Sequence, residues 1–198
     1  MAITSSASSL PIAITMGDPA GIGPEILART LIADDEDGDA RGKKTASEHT
    51  RWILVGAQWA LNKGAATLSR ALPPLHHIAA PDEAIPGWNL LDLGIPEPGD
   101  FRLGQVQAAC GELAVQAVEW AAKRCLSGEL AAMVTAPINK EAIHAAGYVN
   151  DIGHQEILAR LASVSQTATM LMTPGLRVVH LSTHKSLAKA VEFVTAAQ

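Results

Sequence analysis

Apolar and polar positions fall into short blocks along this chain, and the block lengths predict strands alternating with helices. Pro11–Met16 is an apolar run that reads as a strand, followed by a helix over Gly23–Ile32. Arg51–Gly56 predicts a second strand and Ala57–Arg70 a second helix, and Leu75–Ala80 and Trp88–Leu93 read as short strands with proline-rich joints. Gln105–Leu126 is the clearest helix, with Val106, Ala109, Cys110, Leu113, Ala117, Trp120 and Ala121 as its apolar stripe. In that stripe Trp120 reads as core or subunit interface. Ala131–Ala136 is a strand closed by Pro137, and helices follow over Asn139–Ala146 and His154–Ala162. Thr169–Thr173 and Leu176–Ser182 are strands joined by a Pro174-Gly175 turn, and Ser186–Val194 begins a last helix. The acidic-then-basic stretch Asp34–Thr50 reads as a long surface loop. This alternation predicts an α/β fold with a largely parallel sheet.

Composition narrows the function classes. The chain has 198 residues, 48% of them apolar, a net charge of −5 and only 4% aromatics. It is long enough to bury a core, and it lacks the basic face of a nucleic-acid binder. It also has no apolar stretch of membrane-spanning length, and Met1–Leu10 reads as a disordered tail, not a signal peptide. Cys110 and Cys125 fall in one predicted helix, roughly 22 Å apart, which excludes a bond within it. Reduced thiols in a cytoplasm are the simplest reading.

The candidate chemistry lies at strand ends. Met16-Gly-Asp-Pro-Ala-Gly-Ile-Gly-Pro24 turns β into α within a few residues, yet its glycines fit neither G-x-G-x-x-G nor the P-loop. They either permit a sharp turn and close packing or build an anion or metal edge with Asp18 facing the crevice. His154 opens a helix after Gly153, as an anion contact or as a half-buried capping residue. Lys140, after Thr135-Ala-Pro-Ile-Asn139, is a candidate phosphate or carboxylate contact or a solvated first-turn lysine. Of the other histidines, His184 closes a predicted strand and is a candidate metal ligand, His180 reads as a satisfied core or inter-sheet residue, and His144 as exposed.

Four segments together resemble the 4-hydroxythreonine-4-phosphate dehydrogenase family of vitamin B6 biosynthesis. They are Ile-Thr-Met-Gly-Asp-Pro-Ala-Gly-Ile-Gly-Pro-Glu-Ile (14–26), Val-Thr-Ala-Pro-Ile-Asn-Lys-Glu-Ala-Ile (134–143), Gly-His-Gln-Glu-Ile-Leu-Ala (153–159) and Leu-Arg-Val-Val-His-Leu-Ser-Thr-His (176–184). The resemblance implies a fold like isocitrate and isopropylmalate dehydrogenases, incomplete at the C-terminus. The expected division is a tail over 1–10, a first α/β domain over 11–128 and the start of a second over 129–198. It implies a cytoplasmic homodimer that takes 4-phosphooxy-L-threonine to 3-amino-2-oxopropyl phosphate, using NAD and a divalent metal (Zn, Mg or Co). His154 and Gln155 match the family's substrate-contacting pair, and His184 matches the first of its metal-binding histidines. Position 155 is usually threonine in the family, so Gln155 keeps open a related dehydrogenase of 4-phospho-threonate or 4-phospho-erythronate. The family's chain is also longer, so a polypeptide ending at Gln198 is expected to turn over little, and a non-catalytic fragment is the third reading.

Overall fold

The computed structural model describes residues 10–41, 50–180 and 186–194. Its first compact unit runs to Ala162 and its second begins at Ser163. The expected division after residue 128 differs from this, because the strand that follows it joins the first sheet.

Five strands make that sheet: β1 (Ile12–Thr15), β2 (Arg51–Gly56), β3 (His76–His77), β4 (Gly87–Asp92) and β5 (Ala132–Thr135). All pairings are parallel, and the spatial order is β3-β4-β2-β1-β5. β2 is buried on both faces, so it reads as a continuous apolar run instead of an alternating one. Leu54 points with Met16 and Leu90 toward α1 (Gly23–Arg41) and α2 (Gln58–Thr67). Ile53 and Val55 point the other way, with Ala13, toward Ala117 and Ala121 of α3 (Ala108–Ser127). On the outer side of α3, Val115 and Val118 meet Ile143 of α4 (Lys140–Ala145) and Ile157 of α5 (His154–Ala162). Gly111 lets α3 and α4 approach, since a Cβ there would lie 2.1 Å from the Ala142 carbonyl oxygen.

Three expectations about the elements are corrected. The acidic residues after Asp34 continue α1 to Arg41 instead of forming a loop. Charge does not end a helix whose preceding turns bury Leu27, Ala28 and Leu31; the Asp34 carboxylate accepts from the Trp88 indole, and Glu36 pairs with Arg70. α3 begins at Ala108, because Gln107 is an extended cap residue whose amide ties back to the Asp100 carbonyl and the Arg102 N–H. Val106 and Ala109 are therefore exposed, not part of the stripe. The run at Leu75–Ala80 keeps only the two ladder residues of β3. Trp120 is half-buried against the core, with the Arg124 guanidinium over its ring at 3.9 Å. Both cysteines are free, as their place on one helix requires.

In the second unit, β6 (Met170–Thr173) and β7 (Leu176–Val179) form an antiparallel hairpin. Pro174-Gly175 makes the turn, Gly175 taking φ +81°. α6 (Leu187–Phe193) is capped by the Ser186 hydroxyl, which accepts from the Lys189 N–H. Among the described residues no helix is long and apolar enough to cross a membrane.

Candidate anion-binding cleft

The sheet reverses its direction of winding between β1 and β5. β1 connects through α1 toward β2, whereas β4 connects through α3 back to β5 on the other side of β1. The carboxyl ends of β1 and β5 therefore flank a topological switch point, where open α/β sheets hold ligands.

Three loops meet there. Gly17 takes φ +73°, and a Cβ on it would lie 2.2 Å from the Pro137 carbonyl oxygen. Only glycine allows that approach, and with it the Asp18 N–H donates to the same Pro137 carbonyl at 3.0 Å. The Asp18 Oδ1 accepts from the Ala20 N–H at 2.8 Å, and its carbonyl accepts from Gly21 at 3.0 Å, closing the turn into α1. The Ala20 carbonyl accepts from Gly104 at 2.8 Å, which brings in the loop before α3 as a third wall. On the β5 side, the Asn139 side chain caps α4 by accepting from Glu141 and Ala142.

These walls enclose an open cleft of about 780 Å³ lined by Asp18, Ile22, Gln105, Lys140, Glu141 and His154 among others. Asp18 is only 3% exposed. Burial pushes its carboxyl above the ordinary value, and the Ala20 hydrogen bond works in the opposite direction. Burial pushes the His154 imidazole below its ordinary value, against a hydrogen bond with the Ala136 backbone. The His154 Nε2 is buried and has no hydrogen-bond partner among the described residues. A neutral ring can accept there, and a protonated one can donate to an anion. The amino-terminal ends of α1 and α5 border the same space, so positive helix ends reinforce Lys140 and His154.

His154 and Lys140 thus line one cleft, although fourteen residues separate them in sequence. Lys140 is exposed on the first turn of α4. Gln155 is exposed on α5 and is not a lining residue. His184 lies outside the described residues. His180 is exposed at the end of β7, which corrects the expectation of a core residue, while His144 is exposed as expected. Among the described residues no three His, Cys, Asp or Glu side chains are grouped to hold a metal. Gln105 and Glu141 were not expected in the site. Glu141 has the signal of Asn139 two residues before it, whereas Gln105 arrives only through the Ala20–Gly104 bond.

Comparison with known proteins follows the same lines. The sequence profile of the family described as pyridoxal phosphate biosynthetic protein PdxA matches residues 48–198. The D-threonate 4-phosphate dehydrogenase of Pectobacterium atrosepticum is 36% identical, over 91% of this chain and 53% of that protein. The 4-hydroxythreonine-4-phosphate dehydrogenase of Geobacter metallireducens is 35% identical, over 93% of this chain and 52% of that protein. A crystal structure of 4-hydroxythreonine-4-phosphate dehydrogenase from Klebsiella pneumoniae superposes with a TM-score of 0.78 at 37% identity, covering 95% of this chain and 54% of that one. The chain spans about half the length of the curated relatives it matches.

Proposed function

The chain belongs to the pyridoxal phosphate biosynthetic protein PdxA family, and we propose that its cleft holds the anionic part of a phosphorylated four-carbon hydroxy acid for NAD- and divalent-metal-dependent oxidation. The named relatives are dehydrogenases, and the α/β fold is the one related to isocitrate and isopropylmalate dehydrogenases. In the proposed reaction a secondary alcohol gives up hydride and a proton to become a ketone β to the carboxylate, and CO2 then leaves. The observation that carries the substrate-binding part is the buried Nε2 of His154, without a partner among the described residues, in a cleft shared with Lys140.

The described residues do not by themselves supply a metal-ligand set, and the proposal assigns His184 as a ligand by its match to the family's metal-binding histidine. Gln155 as a substrate contact is likewise part of the proposal.

Two substrates compete. 4-Phosphooxy-L-threonine would leave 3-amino-2-oxopropyl phosphate, whereas 4-phospho-D-threonate, or the erythronate, would leave a hydroxyketone phosphate. The second is favoured by the name of the Pectobacterium relative, and Gln155 in place of threonine keeps it open. A cytoplasmic homodimer belongs to the same proposal, and light scattering of the purified protein tests the dimer.

The function is tested by titrating the 198-residue chain with each phosphorylated acid and with unphosphorylated D-threonate, following His154 by NMR. NADH formation with added Mg, Zn or Co is followed in parallel on protein isolated from its source cells. Both phosphorylated acids should shift the His154 resonances and the unphosphorylated acid should not. Equal response to all three, or no NADH with either substrate, would sink the proposal.

A further inference from the structure

The geometry points to Arg160 as a positioning residue for His154, acting through a clamp that ties Asp151 to Glu119. The inference rests on the reading of the cleft as an anion site.

α5 begins at His154, and Arg160 lies in its last turn. Arg160 turns back along the helix: its Nη2 donates to the Asp151 Oδ2 at 2.7 Å, and its Nε reaches Oδ1 at 3.4 Å. The same Nη2 donates to the Glu119 Oε1 on α3 at 2.9 Å, where Lys123 also pairs at 3.0 Å. Asp151 stands three residues before His154 and is only 4% exposed. Its N–H donates to the Tyr148 carbonyl, so the carboxylate belongs to the turn that delivers Gly153 and His154 to the cleft.

Apolar packing alone does not fix that delivery. Ile157, Leu158 and Leu161 hold α5 against Val115, Val118 and Ile143, but such a contact tolerates rotation about the helix axis and sliding along it. The Arg160 fork removes both freedoms at the end that carries the imidazole, because two carboxylates on different elements must be met by one planar group. Burial pushes the Glu119 carboxyl up, but Lys123 and Arg160 outweigh it and hold the group below its ordinary value. The ion pair is thus formed across the neutral range.

A merely structural clamp would change stability and leave the imidazole where it is. A positioning clamp changes the environment of His154 in a chain that is still folded. The test therefore uses the double variant Asp151→Asn/Arg160→Met, which removes the clamp without stranding a buried charge or changing net charge. Arg160→Lys and Glu119→Gln are made alongside, in case the double variant does not fold. Asp18, Lys140 and Glu141, the other titratable cleft residues, are untouched in all of them. Two quantities are read well below the unfolding midpoint: the NMR titration midpoint of His154 and the dissociation constant for inorganic phosphate.

In the double variant the His154 midpoint should rise toward about 6.5 and phosphate binding should weaken roughly 10-fold, with Arg160→Lys and Glu119→Gln in between. A folded variant that keeps both the midpoint and the phosphate affinity of the unaltered chain overturns the clamp. If phosphate leaves the His154 of the unaltered chain unmoved, the anion-site reading fails first and the inference goes with it.

Discussion

β2 and β6 are both short apolar strands, and by pattern alone they are equivalent. In the first unit Ile53, Leu54 and Val55 of β2 are all fully buried, between β1 and β4 and under helices on both faces. In the second unit Met170, Leu171 and Met172 of β6 are each more than half exposed, and β7 is their one strand partner among the described residues. An apolar run therefore predicts a strand, but its depth comes from the neighbours that the topology supplies.

Leu54→Ala should be the largest effect, a loss of about 3 kcal/mol, because it removes a fully buried side chain from a packed core. Leu171→Ala should stay within about 0.5 kcal/mol, since its side chain is already largely in water. Denaturant unfolding of the two variants decides the matter. A comparable cost for Leu171→Ala would mean that the hairpin is covered in solution, and the contrast between the strands would collapse.

The next effect tests the latch between β1 and β5. Gly17→Ala places a Cβ against the Pro137 carbonyl at a backbone conformation that alanine rarely adopts, and should cost about 2 kcal/mol. It should also weaken phosphate binding, because the Asp18–Pro137 bond holds the two loops that wall the cleft. Gly175→Ala also sits at positive φ, but open space surrounds it, so its cost should be the smaller one. Equal costs would show that conformational strain, not the contact with Pro137, dominates at Gly17.

Most of the first unit was legible because its signals are local. The run 12–15 and the Gly-Pro at 23–24 each announce an element by themselves, and His154–Ala162 has the predicted bounds. What stayed hidden depends on partners distant in sequence. Nothing near Asp34 announces the Trp88 indole that it accepts from, and nothing near Gln105 announces the Ala20–Gly104 bond. In the same way the sequence marked His154 and Lys140 separately, but only the β1-β5 adjacency puts them in one cleft.

A smaller effect concerns pH. Burial holds the His154 imidazole below the unfolded value of about 6.5, so the unfolded chain takes up the proton first. The stability tied to the neutral ring is fully present above about 6.5 and declines as pH falls toward the folded-state value. His154→Gln should flatten that part of the stability profile and abolish the phosphate-induced NMR changes in the cleft, with little change in stability at pH 8. A profile with unchanged slope would remove His154 as its source.

The smallest expected effect has the opposite sign. Burial raises the Asp18 carboxyl above 3.8, so between that value and the folded-state one the native chain keeps a proton that the unfolded chain releases. Stability from this group therefore falls as pH rises through the window, and the ionised carboxylate remains a cost at neutral pH. Asp18→Asn retains an oxygen to accept from the Ala20 N–H and removes the titration, so the turn into α1 should persist. Its melting temperature should match the unaltered chain in acid and exceed it slightly at pH 7. A second readout checks the same charge: the Cys110 thiol is pushed up to about 11 by burial first and then by Asp18, so the variant should titrate lower there. If Asp18→Asn is instead less stable at pH 7, the carboxylate has a compensating cation or donor at the cleft, and Asp18 becomes part of the binding machinery and not only of the turn.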